Sequence, residues 1–190
     1  SCCQVGKAQA TIQPPVAAHL NPKDLMHSKL HIFVALIAAG SVAAAVWLQT
    51  AYDAPPCAWC ILQRIILIAI AIVAAGAAIQ DMQDPFRERQ RTMTAPCLIL
   101  GFSIAGIAAV AAQISAQHTA TISCAQSLAT YIVEASKLDR LWPLLFEIKG
   151  SCATASFHLA GIPLVGLSGM LFALIGYLYA NYLKNRHSRG

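Results

Sequence analysis

Cys57-Ala58-Trp59-Cys60-Ile61-Leu62-Gln63-Arg64 stands where a short polar loop, Gln49 to Pro56, runs into an apolar segment from Ile61 to Ile79. Two cysteines separated by two residues can close a small disulfide or hold a metal. This pair sits at the N-terminal mouth of a membrane-length helix, where unpaired backbone N–H groups and the positive dipole end favour a thiolate. Arg64 follows Cys60 by four residues and so shares its helix face. Helical side chains lean toward the N-terminus, so the guanidinium can reach back toward the sulfur. Arginine in a lipid-facing helix costs several kcal/mol on the higher estimates and marks a functional site by default. A thiol pair with a cation one turn below it suggests electron transfer to something that acquires negative charge.

The composition around this stretch belongs to a membrane. Of 190 residues, 57% are hydrophobic and 11% charged, and the mean hydropathy is +0.60; a soluble domain carries about a quarter charged residues. The apolar excess falls into four blocks, 32–48, 61–79, 95–112 and 162–183, each near the ~20 residues that cross a hydrocarbon core. The first is the shortest, with His31 and Gln49 expected at its ends. The fold class that follows is all-α: an integral membrane four-helix bundle with a long extracytoplasmic loop carrying a short interfacial helix. The expected organisation is a tail over 1–29, a four-helix domain over 30–183 and a second tail over 184–190.

Net charge is +5, and the placement of the basic residues speaks for topology rather than for nucleic acid. Lys23, Lys29, Arg87, Arg89, Arg91, Lys184, Arg186 and Arg189 fall on one side of the four spans. Lys137, Arg140 and Lys149 fall on the other, and Arg64 lies within a span. By the positive-inside rule both termini and the middle loop are cytoplasmic, and the first and third loops extracytoplasmic. On that map Cys57, Cys60, Cys124 and Cys152 face the compartment where disulfides persist. Cys2 and Cys3 lie in a cytoplasmic tail and are expected to be reduced. Cys97, beside Pro96 early in the third span, is expected to be a buried, inert thiol.

Residues 1–28 contain Pro14, Pro15 and Pro22 and lack the charged start, apolar run and cleavage site of a signal peptide. They are expected to form a partly ordered cytoplasmic tail. The first span carries Ala35, Ala38, Ala39, Gly40, Ser41, Ala43, Ala44 and Ala45, small residues that permit close helix approach in lipid. Trp47 near its outer end suits an interfacial anchor. In the cytoplasmic loop, Asp84-Pro85 is a helix stop. The loop from Gln113 to Gly161 is too long for a simple connection and so is expected to be functional. Within it Leu138, Leu141, Trp142, Leu145 and Phe146 fall on one helical stripe. That pattern predicts a short helix flat on the membrane, or two pieces with Pro143 opening the second, or a stripe packed on the bundle.

Several chemistries remain open for the cysteines. Cys57–Cys60 as a disulfide would close a strained small loop, which makes such a bond labile. Cys124 and Cys152 could be a loop staple worth roughly 3 kcal/mol. A four-cysteine zinc site lacks a second close pair, and no other metal motif is present. His118, His158, Asp53 and Glu134 need no special role, and there is no hydrolytic triad and no phosphate-binding glycine loop.

Taken together, four spans, Cys-x-x-Cys at the start of the second with Arg64 four residues on, and two cysteines in the third loop resemble the DsbB family of bacterial inner-membrane thiol–quinone oxidoreductases. Pro143, Phe146, Gly150-Ser151-Cys152-Ala153 and Phe157-His158-Leu159-Ala160-Gly161-Ile162-Pro163 extend the resemblance, which covers about 30–183. Ser151 stands where that family usually carries Asp, and Ser156 where an aromatic is common. The resemblance implies an electron relay from a periplasmic DsbA-like thioredoxin-fold protein to a membrane quinone, ubiquinone or menaquinone. In it Cys124–Cys152 is the first disulfide and Cys57–Cys60 the second. Cys124 forms the mixed disulfide with the partner, Cys152 exchanges with Cys57, and Cys60 is left facing the quinone with Arg64 stabilising the negative charge. A quinone pool suits a partner as oxidising as about −120 mV. A vitamin K epoxide reductase-like relay would place Cys-x-x-Cys late and the loop cysteines early, the reverse of the order here. A non-catalytic scaffold stapled by disulfides explains the cysteines and leaves Arg64 without a purpose.

Overall fold

The computed structural model describes residues 22–53, 55–83, 93–118, 128–148, 150, 158–159 and 162–187. The apolar runs make four long helices, α1 (Pro22–Ala51), α2 (Ala58–Gln83), α3 (Thr94–His118) and α7 (Leu164–His187). Between α3 and α7 lie α4 (Leu128–Ser136), α5 (Leu138–Leu141) and α6 (Pro143–Phe146). A two-residue antiparallel pair follows, β1 (His158–Leu159) with β2 (Ile162–Pro163), in which His158 faces Pro163 and Leu159 faces Ile162. Four stretches are long and apolar enough to cross a membrane: Ser28–Ala51, Ala58–Met82, Thr94–Gln117 and Leu164–Asn185. At 1.5 Å per residue each exceeds a hydrocarbon core of about 30 Å.

The helix ends differ from the apolar blocks. α1 runs past both ends of 32–48, so His31 and Gln49 lie inside a helix rather than at its limits. α3 continues through Gln113 to His118, which moves Gln113 out of the loop and onto a helix face. α7 begins at Leu164 rather than Ile162, because Ile162 and Pro163 are taken up by the β pair.

α2 packs between α1 and α3, and α3 packs on α7. The core holds Val34 and Ala38 of α1, Leu67, Ile70 and Ala74 of α2, Ile99 and Val110 of α3, and Phe172 and Ile175 of α7. Large apolar residues also face outward, among them Phe33, Leu36, Ile72, Ile104, Met170 and Tyr177. Helices that are hydrophobic all round suit lipid, where association rests on close packing rather than on water exclusion. Gly106 shows how close that packing is: a Cβ there would collide with the ring of Phe172 on α7. Cys97, expected to be buried, is exposed. Pro96 takes the inward position instead, since adjacent helical residues point about 100° apart.

At the end of the bundle that holds the N-terminus of α2, Ile61 of α2, Val133 of α4 and Phe146 of α6 form a second cluster, joined by Leu138, Leu145 and Ile148. Pro143 opens α6, so the stripe is two helical pieces and not one. Leu138, Leu145 and Phe146 turn toward α2, while Trp142 and Leu144 are exposed. Lys137, in the left-handed region at φ 53, separates α4 from α5. At the opposite end of the bundle, buried His31 of α1 makes a 2.6 Å hydrogen bond with the Tyr179 hydroxyl of α7. Its other ring nitrogen lies 3.9 Å from the Asp81 carboxylate of α2, and the Tyr182 ring meets it edge-on at 6.0 Å.

Candidate active site

Cys57 precedes the first residue of α2, and its carbonyl accepts the N–H of Ile61 at 3.1 Å. Its sulfur takes the backbone N–H of Cys60 at 3.4 Å. A side chain in this place usually satisfies one of the helix's orphan donors with oxygen; here sulfur does so. The local fold of the Cys-x-x-Cys therefore aims both sulfurs at one point, 2.9 Å apart. Cys57 is fully buried and Cys60 partly so.

Arg64 lies one turn below Cys60 and is 7% exposed. Its Nη1 donates to Gln49 Oε1 of α1 at 2.8 Å and to the Leu145 carbonyl of α6 at 3.2 Å. Gln49 Nε2 reaches the Leu144 carbonyl at 3.4 Å. The guanidinium is thus held between the long helices of the bundle and α6. The Leu145 carbonyl is available because α6 ends at Phe146, and the last carbonyls of a helix have no partner within it.

Gln113 of α3 faces the sulfurs from the other side. Its Nε2 lies 3.3 Å from Cys60 Sγ and 3.7 Å from Cys57 Sγ. Its Oε1 accepts from Gln63 Nε2 of α2 at 2.7 Å. Gln63 and Gln113 are 6% and 2% exposed.

These groups open onto a cavity of about 340 Å³ between α1, α2, α3 and α7. Ala44, Ala45, Leu48, Leu67, Leu164, Val165, Leu167 and Leu171 give it apolar walls. Ser41 and Ser168 also line it, but each hydroxyl donates to a carbonyl of its own helix, Ile37 at 2.7 Å and Val165 at 2.9 Å. The polar surface left to the cavity comes from Cys60, Gln63, Arg64 and Gln113. Such a space combines apolar walls with hydrogen-bond donors at the sulfur end. Among the described residues no group of three or more His, Cys, Asp and Glu could hold a metal ion.

Of the four cysteines predicted to act, the structure describes Cys57 and Cys60, which meet Arg64's turn of α2; Cys124 and Cys152 lie outside the described residues, as do Cys2 and Cys3. The Gly150 N–H donates to the Pro56 carbonyl at 3.1 Å, and a Cβ on Gly150 would sit 2.7 Å from the Pro55 carbonyl oxygen. Gln49, Gln63 and Gln113 were not singled out by sequence reasoning. Their signal is a carboxamide within a run otherwise apolar, which lipid tolerates only with partners.

A family model described as Disulfide bond formation protein DsbB matches residues 27–181. Disulfide bond formation protein B 1 of Pseudomonas putida is 31% identical over 147 residues, 77% of this chain and 81% of the relative. Disulfide bond formation protein B 1 of Pseudomonas entomophila is 28% identical over 152 residues, 80% and 84%. Disulfide bond formation protein B of Nitrosomonas europaea is 29% identical over 144 residues, 75% and 85%.

Proposed function

This chain belongs to the DsbB family of disulfide bond formation proteins, and on that premise we propose that it is a multi-pass disulfide oxidase of a bacterial inner membrane. It takes two electrons from a periplasmic DsbA-like thioredoxin-fold protein and delivers them to a membrane quinone. Both termini lie in the cytoplasm, and the cysteine loops in the periplasm.

The observation that carries this reading is that the Cys60 and Arg64 side chains line one apolar cavity between four membrane-length helices. The cavity's composition fits a quinone: hydrocarbon walls for an isoprenoid-bearing ring, and N–H donors for a carbonyl oxygen. A quinone bound there supplies a two-electron acceptor. The chain's own residues do the rest. A thiolate of the reduced partner attacks Cys124, the Cys124–Cys152 bond breaks, and the electron pair leaves on Cys152. Cys152 then attacks Cys57, the Cys57–Cys60 bond breaks, and the pair comes to rest on Cys60 Sγ at the cavity wall. Gly150 is hydrogen-bonded to the residue just before Cys57, and two residues of chain reach at most about 7 Å. That tether supports exchange between Cys152 and Cys57. Arg64 offers a fixed cation to charge that accumulates beside Cys60, and the walls keep water away from it.

The test is anaerobic quinone reduction by membranes containing this protein, supplied with a reduced DsbA-like partner and followed by quinone absorbance. Partner-dependent loss of absorbance that Cys60→Ser abolishes is the expected result. No partner-dependent reduction with either a ubiquinone or a menaquinone would overturn the reading in favour of a stapled scaffold.

A further inference from the structure

Gln63 and Gln113 are buried carboxamides on facing helices, and leaving such groups unpaired in an apolar bundle costs several kcal/mol. If their role were packing alone, leucine would fill the space without that liability. Their bonds have a direction. Gln63 Nε2 donates to Gln113 Oε1 at 2.7 Å, which engages the oxygen end of the Gln113 amide. The nitrogen end is then turned to the sulfurs, 3.3 Å from Cys60 and 3.7 Å from Cys57. An amide nitrogen has two N–H groups and no lone pair to offer, so it can only donate there.

We infer that Gln113 is a catalytic hydrogen-bond donor for thiol–disulfide exchange at Cys57–Cys60, and that Gln63 is a positioning residue that sets which end of the Gln113 amide meets the sulfurs. The inference rests on the redox role proposed for this cysteine pair. In the exchange, a bond forms between the incoming sulfur and Cys57, the Cys57–Cys60 bond breaks, and its electron pair leaves on Cys60 Sγ as a thiolate. No proton is required. Negative charge therefore develops on the sulfur nearest the Gln113 N–H. A donor bonds a thiolate more strongly than it bonds a disulfide sulfur. Because the donor is already oriented by Gln63, little reorganisation accompanies the reaction. The same preference has an equilibrium consequence. A group that stabilises the reduced form more than the disulfide makes the pair more oxidising, and so better able to draw electrons from its partner.

The experiment equilibrates the full chain, freed of quinone in detergent, with a dithiol buffer over a range of potentials. Alkylation and peptide mass then give the reduced fraction of Cys57–Cys60. In Gln113→Leu the equilibrium moves about tenfold toward the disulfide, a potential about 30 mV lower for this two-electron couple. Gln63→Leu moves it less and in the same direction, because the Gln113 amide is then free to turn. Gln113→Glu, nearly the same shape, moves it at least as far as Gln113→Leu. A merely structural pair would lower the thermal unfolding temperature and leave the potential where it was. A parent-like potential in folded Gln113→Leu, or in Gln113→Glu should the leucine variant not fold, overturns the inference. Quinone reduction by the parent protein is measured alongside. Its absence refutes the proposed function, whereas its presence with an unmoved potential in the variants refutes only the role of the glutamines.

Discussion

Arg64 is placed by rules that act within one helix and is held by atoms far away in the chain. Its four-residue spacing from Cys60 puts both on one face. Gln49 Oε1 and the Leu145 carbonyl then hold the guanidinium at 2.8 and 3.2 Å. A guanidinium has five N–H groups in a fixed plane, so two can be engaged here while others remain for the cavity. Lysine offers charge without that fork. Arg64→Leu is expected to lower quinone reduction about a hundredfold, the scale of losing one aligned donor at developing charge. Arg64→Lys is expected to recover part of the loss. Quinone absorbance with a constant supply of reduced partner measures both, and equal activity in Arg64→Leu and the parent would remove Arg64 from the site.

Among the elements, the connection between α3 and α7 does the most to build the site. Its stripe of Leu138, Leu141, Trp142, Leu145 and Phe146 was legible as helical, and Pro143 as a break. That the pieces fold down on Ile61 and Val133, so that a carbonyl at the end of α6 meets Arg64, was not legible. Helix periodicity gives a face and says nothing of which neighbour covers it. The approach of Gly150 to Pro55 and Pro56 is likewise a meeting of two loops about ninety residues apart in sequence. Gly150→Ala forces a Cβ to within 2.7 Å of a backbone oxygen, so the loops must part. Overpacking of this kind costs about 1–3 kcal/mol. Partner-driven quinone reduction is expected to fall about tenfold, while reduction driven by a small dithiol acting directly on Cys57–Cys60 is unchanged. Equal losses in both assays would show that the contact serves general stability instead.

As a whole, the molecule has two polar ends separated by an apolar middle. His31 and Gln49 are eighteen residues apart on α1, about 27 Å along a helix. At one end Gln49 joins Arg64 and the sulfurs. At the other, His31 ties α1 to Tyr179 of α7 near Asp81 and Tyr182. His31→Leu removes the hydrogen-bonding partner of the buried Tyr179 hydroxyl, a loss of about 1–3 kcal/mol. A thermal unfolding temperature several degrees lower in detergent is expected, with quinone reduction per folded molecule unchanged. A fall in turnover without a fall in stability would couple this end to the site.

Much of this molecule follows from chemistry visible along the chain alone. Runs near twenty apolar residues must cross or lie in lipid as helices, because only internal hydrogen bonding satisfies their backbone there. A Cys-x-x-Cys at such a helix's mouth with an arginine one turn on shares a face by geometry that needs no neighbour. The tertiary structure decided what stands opposite that face. Gln113, assigned by hydropathy to a loop, proved to be a helical residue aimed at the sulfurs, and Gln63 its partner. Cys97, a plausible core thiol, turned outward while Pro96 took the interior. The cavity itself exists only between four helices distant in sequence. Local spacing determines the direction in which a side chain leaves its helix, whereas its partner depends on how whole helices pack.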